Sequence, residues 1–131
     1  MAGPKVVVVE DEPEMLEIMQ VNLVQAGYEV VPAGDGVEAY MAIESTVPDP
    51  NAVILDLNLP NMSGFRLVRL LRHNPKWKKV PLIVVTAFAF EEVEDLTDEG
   101  IDGFISKPFD PADLLGKLEY VLSRSNQAVA I

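Results

Sequence analysis

The sequence predicts a doubly wound α/β fold, in which helices cover both faces of a five-stranded parallel sheet. Two observations predict it. Short apolar segments without polar alternation indicate strands that are buried on both faces, and helical segments separate them along the chain. Strands that alternate with helices form parallel sheets, and right-handed crossovers leave few topologies. With 131 residues, the chain is expected to form one domain over residues 1–124, followed by a short tail at 125–131.

Five segments are expected to be strands, because they are rich in β-branched and other apolar residues. In chain order they are residues 6–9, 28–31, 52–55, 82–85 and 103–106. The second of these has a weaker pattern than the others, and each of the other four ends at a polar side chain. Together with the helices between them, the strands form five βα units.

Proline, glycine and capping residues set the ends of the first two helices. Pro13 suits the first turn of a helix that Asp11 can cap, and Gly27 ends this helix after about residue 26. The second helix is expected over residues 36–45, with Asp35 as its cap. Each of these helices connects two consecutive strands.

The same signals predict three later helices. The third spans residues 63–74, ahead of Pro75, and the fourth spans 91–99, ahead of Gly100. The last begins near Asp110. Its apolar face comprises Leu114, Leu115, Leu118, Val121 and Leu122. The fourth helix is acidic and has few apolar positions, so we expect it to be weakly held and mobile.

The composition argues against several classes of function. Lys and Arg number 10 against 21 Asp and Glu, a net charge of −11, so the chain lacks the basic character of a nucleic-acid or anionic-membrane binder. The absence of cysteine excludes disulfides, thiolate metal sites and a cysteine nucleophile. No apolar run approaches the ~18 residues of a membrane span. We therefore expect a soluble cytoplasmic protein without membrane contacts.

One edge of the expected sheet collects an unusual set of polar residues. They are Glu10 and Asp11 after the first strand, Asp56 after the third, Thr86 after the fourth and Lys107 after the fifth. In parallel α/β sheets, ligands bind outside the carboxyl ends of the strands. The sequence therefore predicts a ligand site made of three carboxylates, one hydroxyl and one ammonium group.

This set of side chains suits phosphoryl transfer. Close carboxylates repel one another, and a hard divalent cation such as Mg²⁺, or Mn²⁺ in its place, relieves the repulsion. Asp56 is the best candidate nucleophile because it stands alone after a central strand, and an Asp carboxylate can form an aspartyl phosphate. Thr86 and Lys107 can neutralise charge on phosphoryl oxygens. Singly, such residues are often helix caps or solvated side chains, but that explanation does not suit the whole set.

The segments around these residues resemble the receiver domains of two-component response regulators. The resemblance covers residues 5 to about 124 and rests on VVVVEDEP, VILDLNLPNMSG, VVTA and DGFISKPF, which occur in the family's order. It implies the flavodoxin-like fold with strand order 2-1-3-4-5. It also implies a phosphorylation-controlled switch that is not an enzyme beyond its own phosphorylation and dephosphorylation.

The resemblance implies a role for each acidic residue. Asp56 would accept a phosphoryl group from a histidine kinase or a histidine phosphotransfer protein. Glu10, Asp11, Asp56 and the backbone carbonyl of Asn58 would hold Mg²⁺. Glu10 departs from the more common Asp and is one methylene longer, so it would reach the metal through water. The output protein is not identified, and the resemblance allows a phosphorylation-dependent dimer without direct nucleic-acid contacts.

The resemblance also implies which residues sense the phosphoryl group. Lys107 would pair with it and Thr86 would donate a hydrogen bond to it. Ala87 leaves room for it, and Phe104 stands at the position of the family's switch aromatic. The bond between Lys107 and Pro108 is cis in the family, which only an X–Pro bond makes inexpensive.

Two positions are expected to tune dephosphorylation. Asn58 lies two residues after Asp56, and Phe88 lies two residues after Thr86. In the family these positions border the water that hydrolyses the acyl phosphate. Because the Phe88 ring offers no hydrogen bond to orient that water, we expect a phosphoryl lifetime longer than in a Phe88→Glu variant.

The first helix has more apolar residues than one buried face requires. One stripe comprises Met15, Ile18 and Val21, and an adjacent stripe comprises Leu16, Met19 and Leu23. Either a broad face of the helix is buried, or the surplus stripe is a docking face for the kinase helix bundle, as in the family.

The third helix and the residues after it are basic. Arg66, Arg69 and Arg72 share one side of the helix. A solvated face in an acidic protein is the favoured interpretation, and an acidic partner or a nucleic acid is the alternative. The neighbouring His73 is expected at the surface, and Trp77 is expected to cover the end of the core.

Two other functions stay open at this point. A haloacid-dehalogenase-like phosphatase also uses an aspartate nucleophile and Mg²⁺, but it requires a second acid where this chain has Asn58. A phosphorylation-independent protein-interaction module would have the same fold and would respond neither to Mg²⁺ nor to phosphoryl donors.

Overall fold

Five parallel strands form the central sheet of the structure, a computed structural model that describes residues 3–130. The strands are β1 (Lys5–Val9), β2 (Glu29–Ala33), β3 (Ala52–Leu55), β4 (Leu82–Thr86) and β5 (Gly103–Ser106). Their order in the sheet is β2-β1-β3-β4-β5, which confirms the expected fold and strand order. Every residue of β3 and β4 is buried, as the unbroken apolar runs predict.

Helices follow the strands and cover the sheet. They are α1 (Pro13–Gln25), α2 (Gly36–Ser45), α3 (Gly64–Arg72), α4 (Phe90–Val93), α5 (Asp95–Glu99) and α6 (Pro111–Ala130). Asp35 caps α2 as predicted, and Ser63 caps α3 in the same way. The capping role predicted for Asp11 is wrong, because α1 follows Glu12 and has no side-chain cap. The Asp11 carboxylate instead lies among the acidic groups at the edge of the sheet.

The helix predicted over residues 91–99 forms α4 and α5 instead. The two meet at Glu94, which keeps helical backbone angles. The segment carries six acidic residues and no basic one, and like charges three or four positions apart destabilise a helix. Within residues 91–99, which are all described, Val93 and Leu96 alone are buried. Little apolar burial therefore offsets the repulsion between the acidic side chains.

The last helix, α6, packs its predicted apolar face on the sheet. Leu114, Leu118 and Val121 are buried, and Leu115 and Leu122 are partly buried beside them. The helix continues past residue 124, so residues 125–130, which were expected to belong to a tail, are helical. Ile131 lies outside the described residues.

Two apolar layers cover the two faces of the sheet. Alternate residues of each strand point to opposite faces, so Val7 and Val9 belong to one layer, while Val6 and Val8 belong to the other. Trp77 is buried in the first layer, edge-on to Tyr40 at 5.5 Å between ring centroids. Trp77 is therefore buried among the core residues, whereas the sequence predicts only that it covers the end of the core.

The exposed and buried faces of α1 are distinct. Met19 and Leu23 are buried, whereas Ile18 and Val21 are 48% and 46% exposed. Met15 is partly buried against the core. The interpretation that a broad face of this helix is simply buried is therefore wrong, and the surplus stripe is exposed at Ile18 and Val21.

Arg72 joins three parts of the chain. Its guanidinium donates hydrogen bonds to the carbonyl oxygens of Val80 and Gly100, both at 2.8 Å, and to the Asp102 carboxylate at 2.9 Å. Asp102 also accepts a hydrogen bond from the Leu82 amide at 2.8 Å. The Arg72 side chain is 9% exposed, so the solvated role favoured for the α3 arginines is wrong at this position. Arg72 fixes the loop before β4 to the turn before β5.

Arg69 of α3 and His73, which directly follows this helix, contact the end of α5. The Glu99 carboxylate lies 3.7 Å from Nε of Arg69 and 3.1 Å from Nε2 of His73. His73 is exposed, as expected, and so is Arg66. An acidic partner for this basic cluster therefore lies within the chain itself, at the end of α5.

Candidate functional site

The polar residues predicted to share one edge of the sheet do so. Cα pairing places Val9 beside Leu55 and Leu55 beside Val84, so the residues that follow these strands emerge side by side. A cavity of about 140 Å³ opens there. It is lined by Asp11, Glu12, Asp56, Asn58, Thr86, Ala87, Phe88 and Lys107. The fold thus brings together residues that are up to about a hundred positions apart in sequence.

Three carboxylates converge at this cavity. Oxygen atoms of Glu10, Asp11 and Asp56 all lie within 4.8 Å of one another. Glu10 and Asp56 are 2% and 6% exposed, whereas Asp11 is exposed. Backbone amides hold the two buried groups: Glu12 donates to Oε2 of Glu10 at 3.2 Å, and Asn58 donates to Oδ1 of Asp56 at 3.1 Å. The two carboxylates are therefore held with fixed orientations.

The Lys107 ammonium lies between the two buried carboxylates. Its Nζ is 2.6 Å from Oε1 of Glu10 and 2.7 Å from Oδ2 of Asp56. Burial raises the pKa of Glu10, and the hydrogen bond from Lys107 opposes that rise. Burial by itself lowers the pKa of Lys107, but hydrogen bonds to Asp56 and Glu10 outweigh it, so this pKa is raised. The lysine is therefore charged in this pocket.

The end of β4 forms the opposite wall of the cavity. Thr86 is buried, and its Oγ1 accepts a hydrogen bond from the Phe88 amide at 3.2 Å. Ala87 and Phe88 line the cavity, and the Phe88 ring lies 5.9 Å from the Phe65 ring. Phe104 is partly buried on the neighbouring strand and packs against the core. The predicted sensing residues are thus grouped along β4 and β5.

The loop after β3 is packed closely under the cavity. A Cβ atom at Gly64 would overlap the backbone of Asp56 and Leu57, so only glycine allows this approach. The Gly64 amide donates to the Leu57 carbonyl at 3.0 Å. The peptide bond between Lys107 and Pro108 is cis, as the resemblance implies.

Sequence reasoning missed two features of the site. It assigned Lys107 to the phosphoryl group and did not predict its contacts with two carboxylates. It also missed a hydrogen bond of 2.8 Å from the Asn61 side chain to the Asp35 carboxylate, which joins the loop after β3 to α2. The turn residues in LPNMSG signal a tight loop, but nothing in the sequence identifies Asp35 as the partner of Asn61.

A five-stranded parallel sheet in this order, with three carboxylates, a threonine and a lysine at its carboxyl edge, defines the receiver class of signalling domains. The family model for the response regulator receiver domain matches residues 6–119. The chain belongs to this family and is a receiver domain of two-component signalling with the flavodoxin-like fold. Within residues 3–130, no helix is both long and apolar enough to cross a membrane.

Individual relatives agree with this assignment. Chemotaxis protein CheY1 of Helicobacter pylori is 36% identical over 124 residues, which cover 93% of this chain and 99% of CheY1. Transcriptional regulatory protein KdpE of Mycobacterium tuberculosis is 36% identical over 96% of this chain but only 54% of KdpE. The chain thus spans about half the length of the transcriptional regulators that it matches.

A solved structure supports the same fold. The receiver domain of the sensor histidine kinase PA1611 from Pseudomonas aeruginosa superposes with a TM-score of 0.83 and 28% identity. The match covers 93% of this chain and 99% of that domain, which was solved with a magnesium ion coordinated in its active-site cleft.

Proposed function

We propose that Asp56 accepts a phosphoryl group from a phosphohistidine, with Mg²⁺ bound beside it, and that this event switches a partner-binding surface. The observation that carries the proposal is the convergence of three carboxylates, Glu10, Asp11 and Asp56, beside a small cavity. The Lys107 ammonium contacts two of them, Glu10 and Asp56. The donor is a histidine kinase or a histidine phosphotransfer protein.

The acidic cluster fits a hard divalent cation. Mg²⁺ takes oxygen ligands and keeps several waters, so one or two carboxylates and a phosphoryl oxygen suffice. Oxygens of Glu10, Asp11 and Asp56 lie within 4.8 Å of one another. Asp11, Asp56 and the Asn58 carbonyl are the proposed direct ligands, and Glu10 is proposed to reach the ion through water. The magnesium in the PA1611 receiver supports this assignment. When bound, Mg²⁺ or Mn²⁺ neutralises charge on the phosphoryl oxygens.

The transfer itself is a displacement at phosphorus. A carboxylate oxygen of Asp56 forms the new O–P bond while the N–P bond to the donor imidazole breaks. The electron pair of that bond stays on the imidazole nitrogen. The Lys107 ammonium, now 2.7 Å from Asp56, then pairs with a phosphoryl oxygen. Ala87 adds no bulk where the three phosphoryl oxygens must fit.

The switch begins at Thr86. In this structure the Thr86 hydroxyl oxygen accepts from the Phe88 amide. Once the phosphoryl group is present, the hydroxyl donates to a phosphoryl oxygen, and Phe104 on the neighbouring strand moves inward into the space that opens. The surface of α4, α5 and β5 then changes its partner-binding state, through a shift in a pre-existing equilibrium. The weakly buried α4 and α5 support this choice of surface.

Labelling with acetyl phosphate tests this function. We expect intact-mass spectrometry to find one phosphoryl group per chain when Mg²⁺ is present, and none after the divalent cation is removed. Incorporation that is equal with and without Mg²⁺ would exclude the proposed metal role. Continued turnover of phosphate esters would indicate a haloacid-dehalogenase-like phosphatase instead, although Asn58 occupies the position of its second acid.

The exposed face of α1 is the proposed docking surface for the phosphoryl donor. Ile18 and Val21 project from α1, which lies next to the acidic cluster in the chain, and large exposed apolar side chains often mark protein interfaces.

The output partner is also proposed to be a protein, or a second copy of this chain in a phosphorylation-dependent dimer. A cytoplasmic location and the absence of direct nucleic-acid binding belong to the same proposal.

Val21→Glu is expected to slow phosphotransfer from the cognate kinase by roughly tenfold, because a charge in an apolar docking core costs of order 1–2 kcal/mol. The same variant should label from acetyl phosphate at the wild-type rate, since Val21 lies outside the cavity. Val37, which is similarly exposed on α2, provides the matched control Val37→Glu. Equal rates of phosphotransfer from the kinase to the wild type, Val21→Glu and Val37→Glu would exclude docking on α1.

Phe88→Glu is expected to shorten the lifetime of the phosphorylated form. Phe88 lines the cavity with an apolar ring, whereas a carboxylate there can accept a hydrogen bond from the attacking water. We expect dephosphorylation to accelerate roughly tenfold, below the ~10²–10⁴ of full general base catalysis. The decay of the adduct is followed by mass spectrometry, with Phe88→Leu as the control. Unchanged decay in Phe88→Glu would exclude Phe88 from dephosphorylation control.

A further inference from the structure

We infer that Asp35 and Asn61, which both lie outside the carboxylate cluster, position the Asn58 carbonyl for metal binding. The inference rests on the proposed function, since it concerns the same Mg²⁺ site. It assigns a positioning role to a side-chain contact between α2 and the loop after β3, residues 57–63. Neither residue is a proposed ligand.

The Asp35 carboxylate connects two parts of the structure. One oxygen caps α2 by accepting the Glu38 amide at 2.7 Å. The other oxygen accepts a hydrogen bond from Nδ2 of Asn61 at 2.8 Å. These two bonds lower the pKa of Asp35, so the carboxylate is charged at neutral pH. The loop after β3 is thereby attached to the first turn of a regular helix.

The backbone makes the same connection. A Cβ atom at Gly36 would overlap the Met62 carbonyl, so the first turn of α2 lies directly against the loop. Asn61 has a φ of 67°, a left-handed conformation that Asn tolerates better than most residues. The loop therefore turns sharply at Asn61, where its side chain meets Asp35.

Asn58 lies between the fixed points of this loop. Leu57 and Leu59 are buried on either side of it and set its depth, whereas Asn58 itself is exposed. The contact between Asn61 and Asp35 fixes the far end of the same turn. Leu57 and Leu59 keep Asn58 at its depth in every variant, so we infer that loss of the Asp35 contact changes only the orientation that the turn gives to the Asn58 carbonyl. Removing groups that orient metal ligands typically weakens binding by about 10–100-fold.

The test measures the Kd of Mn²⁺ from the paramagnetic resonance signal of the free ion, and the Kd of Mg²⁺ by competition. Asn61→Asp places two carboxylates in contact, and Asp35→Ser keeps a capping hydroxyl on α2 but is too short to reach Asn61. We expect each change to weaken binding on the order of tenfold. The exchanged pair Asp35→Asn with Asn61→Asp restores both the hydrogen bond and the net charge, so it should recover the wild-type Kd.

Asn51→Ala is the matched control. Asn51 also anchors a loop, by accepting the Lys5 amide at 2.8 Å, but it does so at the amino end of the sheet. The Kd of Asn51→Ala for Mn²⁺ and for Mg²⁺ should equal that of the wild type. Urea unfolding of each variant identifies a merely structural effect. Such an effect would lower the free energy of unfolding without changing the Kd of the folded protein.

The outcomes distinguish this inference from the proposed function. If the wild type binds the ions and both single variants bind them equally well, the positioning role is wrong and the metal site stands. Failure of the exchanged pair to recover affinity would also contradict it. If the wild type binds neither ion, the proposed metal site itself is wrong, and the positioning role with it.

Discussion

Asp56→Asn is expected to abolish phosphoryl incorporation from acetyl phosphate. Asp56 lines the cavity, and its carboxylate contacts the Lys107 ammonium at 2.7 Å. The amide is nearly the same size as the carboxylate, but its neutral oxygen is a far weaker nucleophile toward phosphorus. The variant should therefore fold normally and show no adduct by intact-mass spectrometry, under conditions that label the wild type fully.

Two other replacements of Asp by Asn complete this experiment. Asp11→Asn keeps the proposed acceptor but removes an exposed carboxylate of the proposed metal site, so labelling should slow and require more Mg²⁺. Asp98→Asn changes an exposed residue of α5 and should label like the wild type. An adduct that survives in Asp56→Asn would assign the acceptor to another carboxylate, with Asp11 the first candidate.

Lys107→Met is expected to destabilise the metal-free protein by about 3–5 kcal/mol, the usual cost of leaving a buried charge without its partner. Glu10 and Asp56 contact the ammonium at 2.6 and 2.7 Å, and both are nearly inaccessible to water. Met fills a similar volume without a charge, so the two carboxylates would face each other unpaired. The free energy of unfolding is measured in urea, without divalent cations.

Mg²⁺ should recover part of this loss. An ion that binds the folded state stabilises it by mass action. Because Lys107→Met leaves two carboxylates unpaired, Mg²⁺ should raise the free energy of unfolding of this variant by more than that of the wild type. Lys76→Met is the control, because the exposed pair of Lys76 and Asp49 at 3.7 Å contributes less than about 1 kcal/mol. Equal stability of Lys107→Met and Lys76→Met would show that the buried pair contributes little.

The stabilisation that Lys107 provides has a defined pH dependence. The pKa of Lys107 in the folded protein lies above its ordinary value. A group of this kind stabilises the folded state fully below its unfolded pKa. The stabilisation from Lys107 is therefore present at neutral pH and is lost as alkaline pH rises through the raised pKa.

Much of the fold could be predicted because local signals and burial agree. The runs of Val and Ile in β1, β3 and β4 occupy positions that are fully buried, so their composition directly reflects their environment. The site followed from the same pattern, since the polar residue after each strand must emerge at the carboxyl edge. The placement of Asp56, Thr86 and Lys107 at one cavity was predicted in this way.

The remaining features depend on contacts between distant residues. The arginines of α3 look equivalent in sequence. The Arg72 guanidinium, however, donates hydrogen bonds to the carbonyl groups of Val80 and Gly100 in two later loops, whereas Arg66 is exposed. The division of residues 91–99 into α4 and α5 depends on the repulsion between acidic side chains and on how little apolar surface is buried there. The periodicity of apolar residues in the sequence measures neither. The contact between Asp35 and Asn61 likewise joins segments 26 positions apart.

The position of Lys107 between Glu10 and Asp56 also sets the charge stoichiometry of the site. Three carboxylates and one ammonium group leave two uncompensated negative charges. One divalent ion brings the cluster to electroneutrality, whereas one monovalent ion leaves it anionic. Raising the potassium concentration should therefore screen the cluster without replacing the divalent ion. The proposed metal site is therefore expected to favour divalent over monovalent ions because of the number of charges that the chain supplies.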